Sequence, residues 1–571
     1  MHATYNGMDT KKAESFLYHK GCDIVDGQYG FYTRPKKEGD KPQFVPCGSA
    51  VEVQEVVIDI ETMKRKLKLI SYDYSGRGTQ ITFHRNMMTE QGILALTEYG
   101  AQVDKKSAPT LLKCIENEEM KAPVTYEHSS LGFSQYENQL IFKGNKAINI
   151  KSNYIGESDI KPKGSYKKWR NMIKKEVLGS PLEIILASAL SSTVLDFIHD
   201  EYPTDNILLS LVGGSSSGKT TALNLAVSVG GSPALSGRSL MLSFIDTELS
   251  IVHKICSAFP AGIDEFTAIG NQGIKKLLYT LANGSERSRM NKNLKLNETK
   301  EFHTAIFMSS EYSILSSAGT HEGLIARVLE FSNIEWTTSG ASADEIKKIC
   351  LSNYGWAVPK MAKYLLEVNK QDLIHLCEEY TELFLEKQES ENGVIIRMSK
   401  KIGLILATAH IAEDIFGFEF DLDRMICFFN KNIKMNPEDF DNALKAYEAV
   451  ISYVVERPTE FGENLNDGTL QTNDVYYKSG RIEYSDAPVE LYDGTISEAD
   501  VFIKKVLFDR ILFSMNFYDT KSILKRLDTL GLLFRPEKDR LYCRVKLGVD
   551  EIVVKGYRLR IKTDVLHNDL R

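Results

Sequence analysis

The feature that most constrains the fold is the run GGSSSGKTT at residues 213–221, which lies between an apolar segment at 207–212 and the segment ALNLA at 222–226. The run fills the pattern G-x-x-x-x-G-K-T without a departure. Small residues let successive backbone N–H groups surround nucleotide phosphates, and the following helix adds the positive end of its dipole. The run therefore predicts a strand–loop–helix unit that binds a nucleoside triphosphate. An ordinary glycine–serine loop is the alternative.

The same loop predicts which residues hold the phosphates and a metal ion. Lys219 is expected to reach the β- and γ-phosphates as a point charge, and the Thr220 hydroxyl is expected to bind Mg²⁺. The residues predicted to bind the nucleotide are Gly213, Gly214, Ser215, Ser216, Ser217, Gly218, Lys219, Thr220 and Thr221.

An acidic pair follows at a spacing that suits the second motif of a nucleotide site. Asp264 lies 45 residues after Lys219, within the segment AGIDEF at 261–266. We expect Asp264 to support the Mg²⁺ through water and Glu265 to polarise the attacking water. Pro260 and Gly262 dilute the apolar run that normally precedes such a pair.

Two arginines are candidates for action on the γ-phosphate. Arg327 lies 63 residues after Asp264, at the entry to a predicted strand, and suits an arginine finger that acts on a neighbouring subunit. A structural or surface arginine is the alternative. Arg397, at the start of a long amphipathic segment, is a candidate sensor arginine, and a salt bridge at a helix start is its alternative.

Composition limits the class of protein and its compartment. The chain has 571 residues, is 43% hydrophobic and carries a net charge of −7, so nucleic acid would have to bind at local patches. Eight cysteines without a C-x-x-C pair argue against a zinc module and favour a reducing, cytoplasmic setting. The absence of a signal core and of an 18-residue apolar run predicts a soluble protein that does not enter a membrane.

Changes in pattern and charge divide the chain into five predicted segments. A mixed α/β domain at 1–160 precedes an ATPase core at 161–340, which begins with two helices as AAA-type modules do. Helical patterns at 341–455 suit the lid of that module. Residues 456–499, with ten acidic and three basic residues, predict a loosely ordered acidic connector. Residues 500–571, with a net charge of +6, predict a winged helix whose first helix spans 501–514.

Two basic segments are predicted to contact DNA. A polar hairpin before the fourth core strand is placed where ring-shaped helicases carry a pore loop, although a solvated surface hairpin is the alternative. Its candidate residues are Arg287, Arg289, Lys292 and Lys295. In the winged helix, Lys521, Lys525 and Arg526 would face DNA, although winged helices also dock proteins.

Five segments together resemble a known family. They are the phosphate loop SSSGKTTALNLA, the pair IDEF, the helix end YTLANG, the basic hairpin and the segment GLIARVLE. They resemble mobile-element AAA+ ATPases long catalogued as a domain of unknown function, and within these the cassette chromosome helicase (Cch) group, which is similar to the MCM replicative helicases. By this resemblance Ser310 takes the place of the asparagine that usually ends the fourth core strand and senses the γ-phosphate.

The resemblance implies an α/β fold with an AAA+ P-loop ATPase core, a helical lid, a mixed α/β N-terminal domain and a C-terminal winged helix. It also implies a homo-oligomeric, hexameric ring that hydrolyses Mg·ATP between subunits. Such a ring would translocate 3′→5′ on single-stranded DNA and unwind DNA for replication of a mobile element. Two other functions stay open: a nucleotide-gated initiator switch that assembles on an origin, and an NTPase subunit of a defence complex.

Overall fold

The computed structural model describes most of the chain, with gaps between short segments at the N-terminus and in several loops. The described residues are 4–5, 8–9, 22–25, 28–32, 43–48, 51–73, 77–243, 246–266, 271–285, 300–315, 322–388, 393–433, 442–461, 479–514, 517, 520–536, 540–547 and 552–562.

The N-terminal part is built from small sheets and short helices. Its strands are β1 (Thr4–Tyr5), β2 (Met8–Asp9), β3 (Cys22–Val25), β4 (Gln28–Tyr32), β5 (Phe44–Gly48), β6 (Val51–Asp59), β7 (Arg65–Tyr72), β8 (Gly78–His84), β9 (Val124–His128), β10 (Gly132–Tyr136), β11 (Gln139–Lys143) and β12 (Ser152–Tyr154). The main sheet has the order β12-β9-β6-β7-β8. Helices α1 (Glu90–Ile93) and α2 (Ala108–Glu119) supply Ile93, Leu111 and Ile115 to the core under this sheet.

The central part is a parallel sheet with helices packed against it. Its strands are β13 (Ile207–Val212), β14 (Met241–Ser243), β15 (Ala261–Asp264), β16 (Ala305–Ser310) and β17 (Val328–Ser332). Its helices are α3 (Tyr166–Met172, continued by a π-helical turn at Ile173–Val177), α4 (Leu182–Ile198), α5 (Lys219–Ser228), α6 (Glu248–Lys254), α7 (Asn271–Asn283) and α8 (Glu322–Ile325). The strand order is β14-β15-β16-β13-β17, so the first strand of the unit lies between the fourth and the fifth. All neighbouring pairs are parallel.

A helical part follows the central sheet, as the sequence predicts. Its helices are α9 (Gly340–Ser352), α10 (Ala357–Leu365), α11 (Lys370–Leu385), α12 (Gly393–Phe416) and α13 (Leu422–Asn432). Side-chain caps mark several starts: Ser339 precedes α9, Asn369 precedes α11 and Asp421 precedes α13. These helices share one continuous hydrophobic core with the central sheet, from Leu131 to Ile433.

The C-terminal part combines helices with an antiparallel sheet. Its elements are α14 (Asn442–Glu456), β18 (Gly480–Glu490), β19 (Ile496–Lys504), α15 (Lys505–Ser514), α16 (Thr520–Thr529), β20 (Cys543–Leu547) and β21 (Ile552–Lys562). The sheet has the order β18-β19-β21-β20. Helix α14, which the sequence reading joins to the lid, packs here, because Ala446 and Val450 share a core with Leu527 and Leu559.

The structure corrects two readings of this part. Residues 501–504 belong to strand β19 and not to the predicted helix at 501–514, which begins at Lys505. The predicted acidic connector supplies strand β18, which pairs with β19 from Gly480↔Ile503 to Glu490↔Ile496. Strand pairing satisfies the backbone of this segment, and Glu483 on β18 forms ion pairs with Arg481 and Arg558. Residues 462–478 of the predicted connector lie outside the described residues.

Candidate active site

The glycine-rich loop joins strand β13 to helix α5, as predicted. Gly218, the residue before the helix, has a φ of +85°, and Ser216 has a φ of +74°. A side chain at Gly218 would be strained by that φ, and its Cβ would approach Thr337 Cγ2 to 3.1 Å. The loop at Gly214 is open, since an added Cβ there would meet nothing within 4 Å. The loop is therefore fixed at its helix end and accessible at its centre.

Lys219 lies across the loop. Its ammonium donates hydrogen bonds to the carbonyl oxygens of Gly213 at 2.7 Å and Gly214 at 2.6 Å. Ser217 closes the loop from the other side by donating to the Gly214 carbonyl at 3.2 Å. Thr220 is exposed at the first turn of α5. Thus a hydrogen-bonded ammonium and an exposed hydroxyl lie together at the start of one helix.

The segment after β17 supports the loop from behind. The backbone N–H of Trp336 donates to the Ser217 carbonyl at 3.0 Å, and the backbone N–H of Asn333 donates to the Val212 carbonyl at 2.9 Å. Trp336 is fully buried, against Phe331. No motif in the sequence marks this support, because it depends on β17 lying beside β13.

The acidic pair lies at the end of β15, two strands away from β13 in the sheet. Because parallel strands end at the same edge, Asp264 and Glu265 lie on the edge that carries the loop. Glu265 is exposed and has a φ of +55°, a conformation that non-glycine residues seldom adopt. Such strain is concentrated at functional sites.

A serine that sequence reasoning missed joins the two acidic residues. The Ser309 hydroxyl donates to Asp264 Oδ1 and accepts a hydrogen bond from the Glu265 N–H at 3.0 Å. Ser310, the predicted sensor, instead donates its hydroxyl to the Tyr312 carbonyl at 2.8 Å and is buried. Side chains alternate along a strand, so only one of two adjacent residues on β16 faces the acidic pair. The structure places Ser309 there in place of Ser310.

Arg327 lies at the opposite edge of the sheet. It immediately precedes β17, and the register pairs Val328 with Leu208 at the start of β13 while Ser332 pairs with Val212 beside the loop. One strand length, roughly 16 Å, therefore separates Arg327 from the phosphate loop of its own chain. Its guanidinium donates to the Gly323 carbonyl at 2.6 Å and lies 3.6 Å from Asp205 Oδ2.

Arg397 is near Arg327. It is exposed in the first turns of α12, one helical turn before Lys401. Lys401 is buried and donates to the Arg327 carbonyl at 2.9 Å. The charges of Asp205, Arg327 and Arg397 all act on the pKa of Lys401, which burial lowers to about 8. The two predicted arginines are therefore brought into one region, away from the loop.

The predicted DNA contacts are only partly visible. Arg287, Arg289, Lys292 and Lys295 of the basic hairpin lie outside the described residues. On helix α16, Lys521, Lys525 and Arg526 are all exposed. Lys521 and Lys525 are one turn apart and share a helix face. Val545 on β20 and Val554 on β21 pair in the hairpin that follows this helix.

The donor set at the loop edge fits Mg·ATP. Among the residues that the structure describes, neither Asp264 nor Glu265 forms an ion pair, and the Lys219 ammonium contacts only neutral groups of the loop. A hydroxyl, two carboxylates and a lysine on one edge are the groups that a divalent cation and a triphosphate require. Thr221, the next residue, has a buried hydroxyl without a hydrogen-bond partner in the described structure.

Fold and site together define a mixed α/β protein whose parallel sheet carries a P-loop. The chain matches the family described as a domain of unknown function, DUF927, over residues 25–301, and the Cch helix turn helix domain over residues 441–564. A solved structure titled "SCCmec type IV Cch - active helicase" has the same fold, with a TM-score of 0.66 and 22% identity. The alignment covers 96% of this chain and 98% of that one. The resemblance to the Cch group is thus confirmed.

None of the curated proteins compared with the chain matches it. In the part of the chain that the structure describes, no helix is long and apolar enough to cross a membrane.

Proposed function

We propose that the protein is an ATP-dependent, ring-forming DNA helicase that is MCM-like and moves 3′→5′ on single-stranded DNA during replication of a mobile element. Its core would be an AAA+ ATPase with a helical lid, and its C-terminal part a winged helix. The likeness in fold to a Cch helicase and the match to the Cch helix turn helix domain support this reading. The sheet order, with the P-loop strand between the fourth and fifth strands, supports the AAA+ assignment.

One observation carries the hydrolytic part of the proposal: the acidic pair and the phosphate loop share an edge of the sheet. Lys219 and the loop N–H groups would bind the phosphates, while Thr220 and Asp264 would hold the metal ion. Bound Mg·ATP supplies the phosphoanhydride bond and the divalent charge. Glu265 would orient a water molecule and accept its proton, and Ser309 would keep Asp264 and Glu265 in a fixed relation through its two hydrogen bonds.

The separation of the arginines supports a ring. Arg327 lies one strand length from the loop of its own chain and so cannot reach phosphates bound there. On a surface that also carries Arg397, it would act on a nucleotide held by a neighbouring subunit. A complete site would then form only between two chains, and DNA in the centre of the ring would contact the basic hairpin. The exposed lysines of α16 would bind DNA through its phosphates.

Strand displacement on forked DNA of both polarities tests the proposal. Glu265→Gln keeps the shape of the side chain but removes the base, so ATP-dependent unwinding should fall by about 10²-fold or more while ATP binding survives. Glu301→Gln is the matched control, because Glu301 is exposed and lies before β16 begins, away from the strand end that carries the acidic pair, so the variant should leave unwinding intact. Equal unwinding by Glu265→Gln and wild type would rule out this mechanism. ATP turnover without displacement on either fork would favour an initiator switch.

A further inference from the structure

Lys401 is a charged residue that the proposed hydrolysis does not use, and it is buried in the lid. It lies on helix α12 with 1% of its surface exposed. Its ammonium donates to the carbonyl oxygens of Arg327 at 2.9 Å and Ala326 at 3.3 Å. These two residues form the turn between α8 and β17. Burying an ammonium group costs free energy unless its N–H groups are hydrogen-bonded. Both carbonyl groups that Lys401 contacts belong to this turn, so the lysine fixes the turn.

The side chain of Arg327 is held from another direction. Asp205, which lies just before β13, has its carboxylate 3.6 Å from Arg327 Nε, which is an ion-pair distance but too long for a hydrogen bond. The guanidinium also lies over the Tyr279 ring, 5.3 Å from its centroid. The main chain of Arg327 is therefore held by the lid, and its guanidinium by the core.

We propose that Lys401 and Asp205 are positioning residues for Arg327, and that together they hold it in the place from which it would act on the neighbouring subunit. The inference rests on the proposed role of Arg327 as an arginine finger. Helix α12 contacts α11 and α4 along its length. Because this helix shares one hydrophobic core with the central sheet, Lys401 is held firmly enough to fix the turn that carries Arg327. Lys401 itself contacts no reacting atom.

The charges around Lys401 give this arrangement a pH signature. Burial lowers its pKa to about 8, the Asp205 carboxylate raises the pKa, and Arg327 and Arg397 lower it. Loss of the proton leaves a weaker donor to the two carbonyl groups. Turnover should therefore fall reversibly as pH rises through 8. Removing the Asp205 charge should lower the pKa of Lys401 further, so the fall should move to lower pH.

Lys401→Met, which keeps the length of the side chain, tests the role in purified full-length protein. We expect ATP binding and oligomer assembly to be retained and DNA-stimulated turnover to fall on the order of 10²-fold, as a small misplacement of a reacting group does. Lys400→Met is the matched control. Lys400 is the preceding residue of the same helix and is partly exposed, so that variant should turn over as wild type does.

Mixed oligomers separate positioning from a general structural role. Lys401→Met keeps a working phosphate loop but lacks an aimed finger, whereas Lys219→Ala lacks the loop lysine and keeps the finger. Mixing the two should restore turnover at shared interfaces, and mixing Lys401→Met with Arg327→Ala should restore none. Recovery for Arg327→Ala with Lys219→Ala, but not for Lys401→Met with Lys219→Ala, would overturn this inference alone. No recovery in either co-assembled mixture would overturn the proposed function as well.

Asp205→Asn covers the case in which Lys401→Met does not fold. Asp205 is partly exposed, so its substitution should be tolerated. Turnover should fall about tenfold and recover with Lys219→Ala. Its alkaline decline should begin at lower pH than in wild type, an effect that a merely structural role would not produce. An unchanged alkaline limb in Asp205→Asn would contradict the proposal.

Discussion

The two edges of the central sheet carry complementary halves of one chemistry. The edge after β13 and β15 holds the loop, Lys219 and the acidic pair, whose side chains contact neutral groups of the same edge. The edge before β17 holds Arg327, whose guanidinium faces Asp205 and whose carbonyl binds a buried lysine. The first edge is open toward a ligand, and the second is fixed by its own partners. In the proposed function, each edge supplies only part of the groups that hydrolysis needs.

The two edges differ in how firmly their charged side chains are held. A group that waits for a ligand can make provisional hydrogen bonds, as Lys219 does with two loop carbonyls. If Arg327 acts on another chain, as we propose, its side chain benefits from being held in place beforehand, because ordering an arginine side chain costs considerable entropy. The contacts of Arg327 are therefore more varied than those of Lys219.

The largest expected effect is at the edge before β17, where Arg327 lies. Arg327→Ala should reduce turnover by about 10³-fold, because an arginine finger stabilises charge on the transferred phosphoryl group. ATP binding should change little, since Arg327 is one strand length from its own loop. Single-turnover hydrolysis and equilibrium nucleotide binding measure the two quantities. Arg65→Ala, an exposed arginine of the N-terminal sheet, is the control. Full turnover by Arg327→Ala would contradict this prediction and show that the active site is complete within one chain.

A smaller effect is expected at the edge that carries the phosphate loop, where Ser309 and Ser310 end β16. Ser309→Ala removes the hydroxyl that links Asp264 and the Glu265 N–H, and we expect turnover to fall about tenfold, the value of one or two hydrogen bonds. Ser310→Ala removes only a bond to the Tyr312 carbonyl and should stay within about threefold of wild type. Steady-state ATP turnover of Ser309→Ala and Ser310→Ala shows which serine matters more. The reverse ranking would restore Ser310 as the sensor.

The smallest effect on activity concerns a buried acid near the second edge. Asp196, at the end of α4, accepts a hydrogen bond from the Phe133 N–H at 2.7 Å, and burial raises its pKa to about 7. Between about pH 4 and pH 7 the folded protein therefore holds a proton that the unfolded chain has lost, so the free energy of unfolding falls across this window and levels off above pH 7. Asp196→Asn should raise the free energy of unfolding at pH 8 by about 1–3 kcal/mol, with turnover nearly unchanged.

Denaturant unfolding of wild type and Asp196→Asn at pH 5 and pH 8 checks that sign. The gain should be smaller at pH 5, near the start of this window, and should reach its full value at pH 8. A gain that is equal at both pH values would show that packing, and not titration, separates the two proteins. Ser257, which bonds the same carboxyl, offers a control substitution that leaves the acid in place.

Local sequence was sufficient for the conformation of the glycine-rich loop, for the position of the acidic pair at a strand end, for helices after the central sheet and for the resemblance to the Cch group. A P-loop is a contiguous strand, turn and helix, so its residues carry their own geometry: Gly218 tolerates the positive φ that starts α5. Contiguous motifs also carry the family likeness, which the Cch helix turn helix domain and the fold comparison bear out. Local pattern failed at residues 501–504, because pairing with β18 on one side and β21 on the other makes this segment a strand and not a helix.

Only the tertiary structure could choose between Ser309 and Ser310, because strand register decides which side chain faces β15. Only it could bring Lys401 of the lid and Asp205 of the core to Arg327, since these residues lie 74 and 122 positions away along the chain. A buried lysine on an apolar helix carries no motif, and its meaning comes from the two carbonyl groups it meets. The sequence by itself predicts the residues that we propose to bind the nucleotide. Long-range packing decided which residues hold Arg327, because such contacts are set by the fold and not by neighbours in the chain.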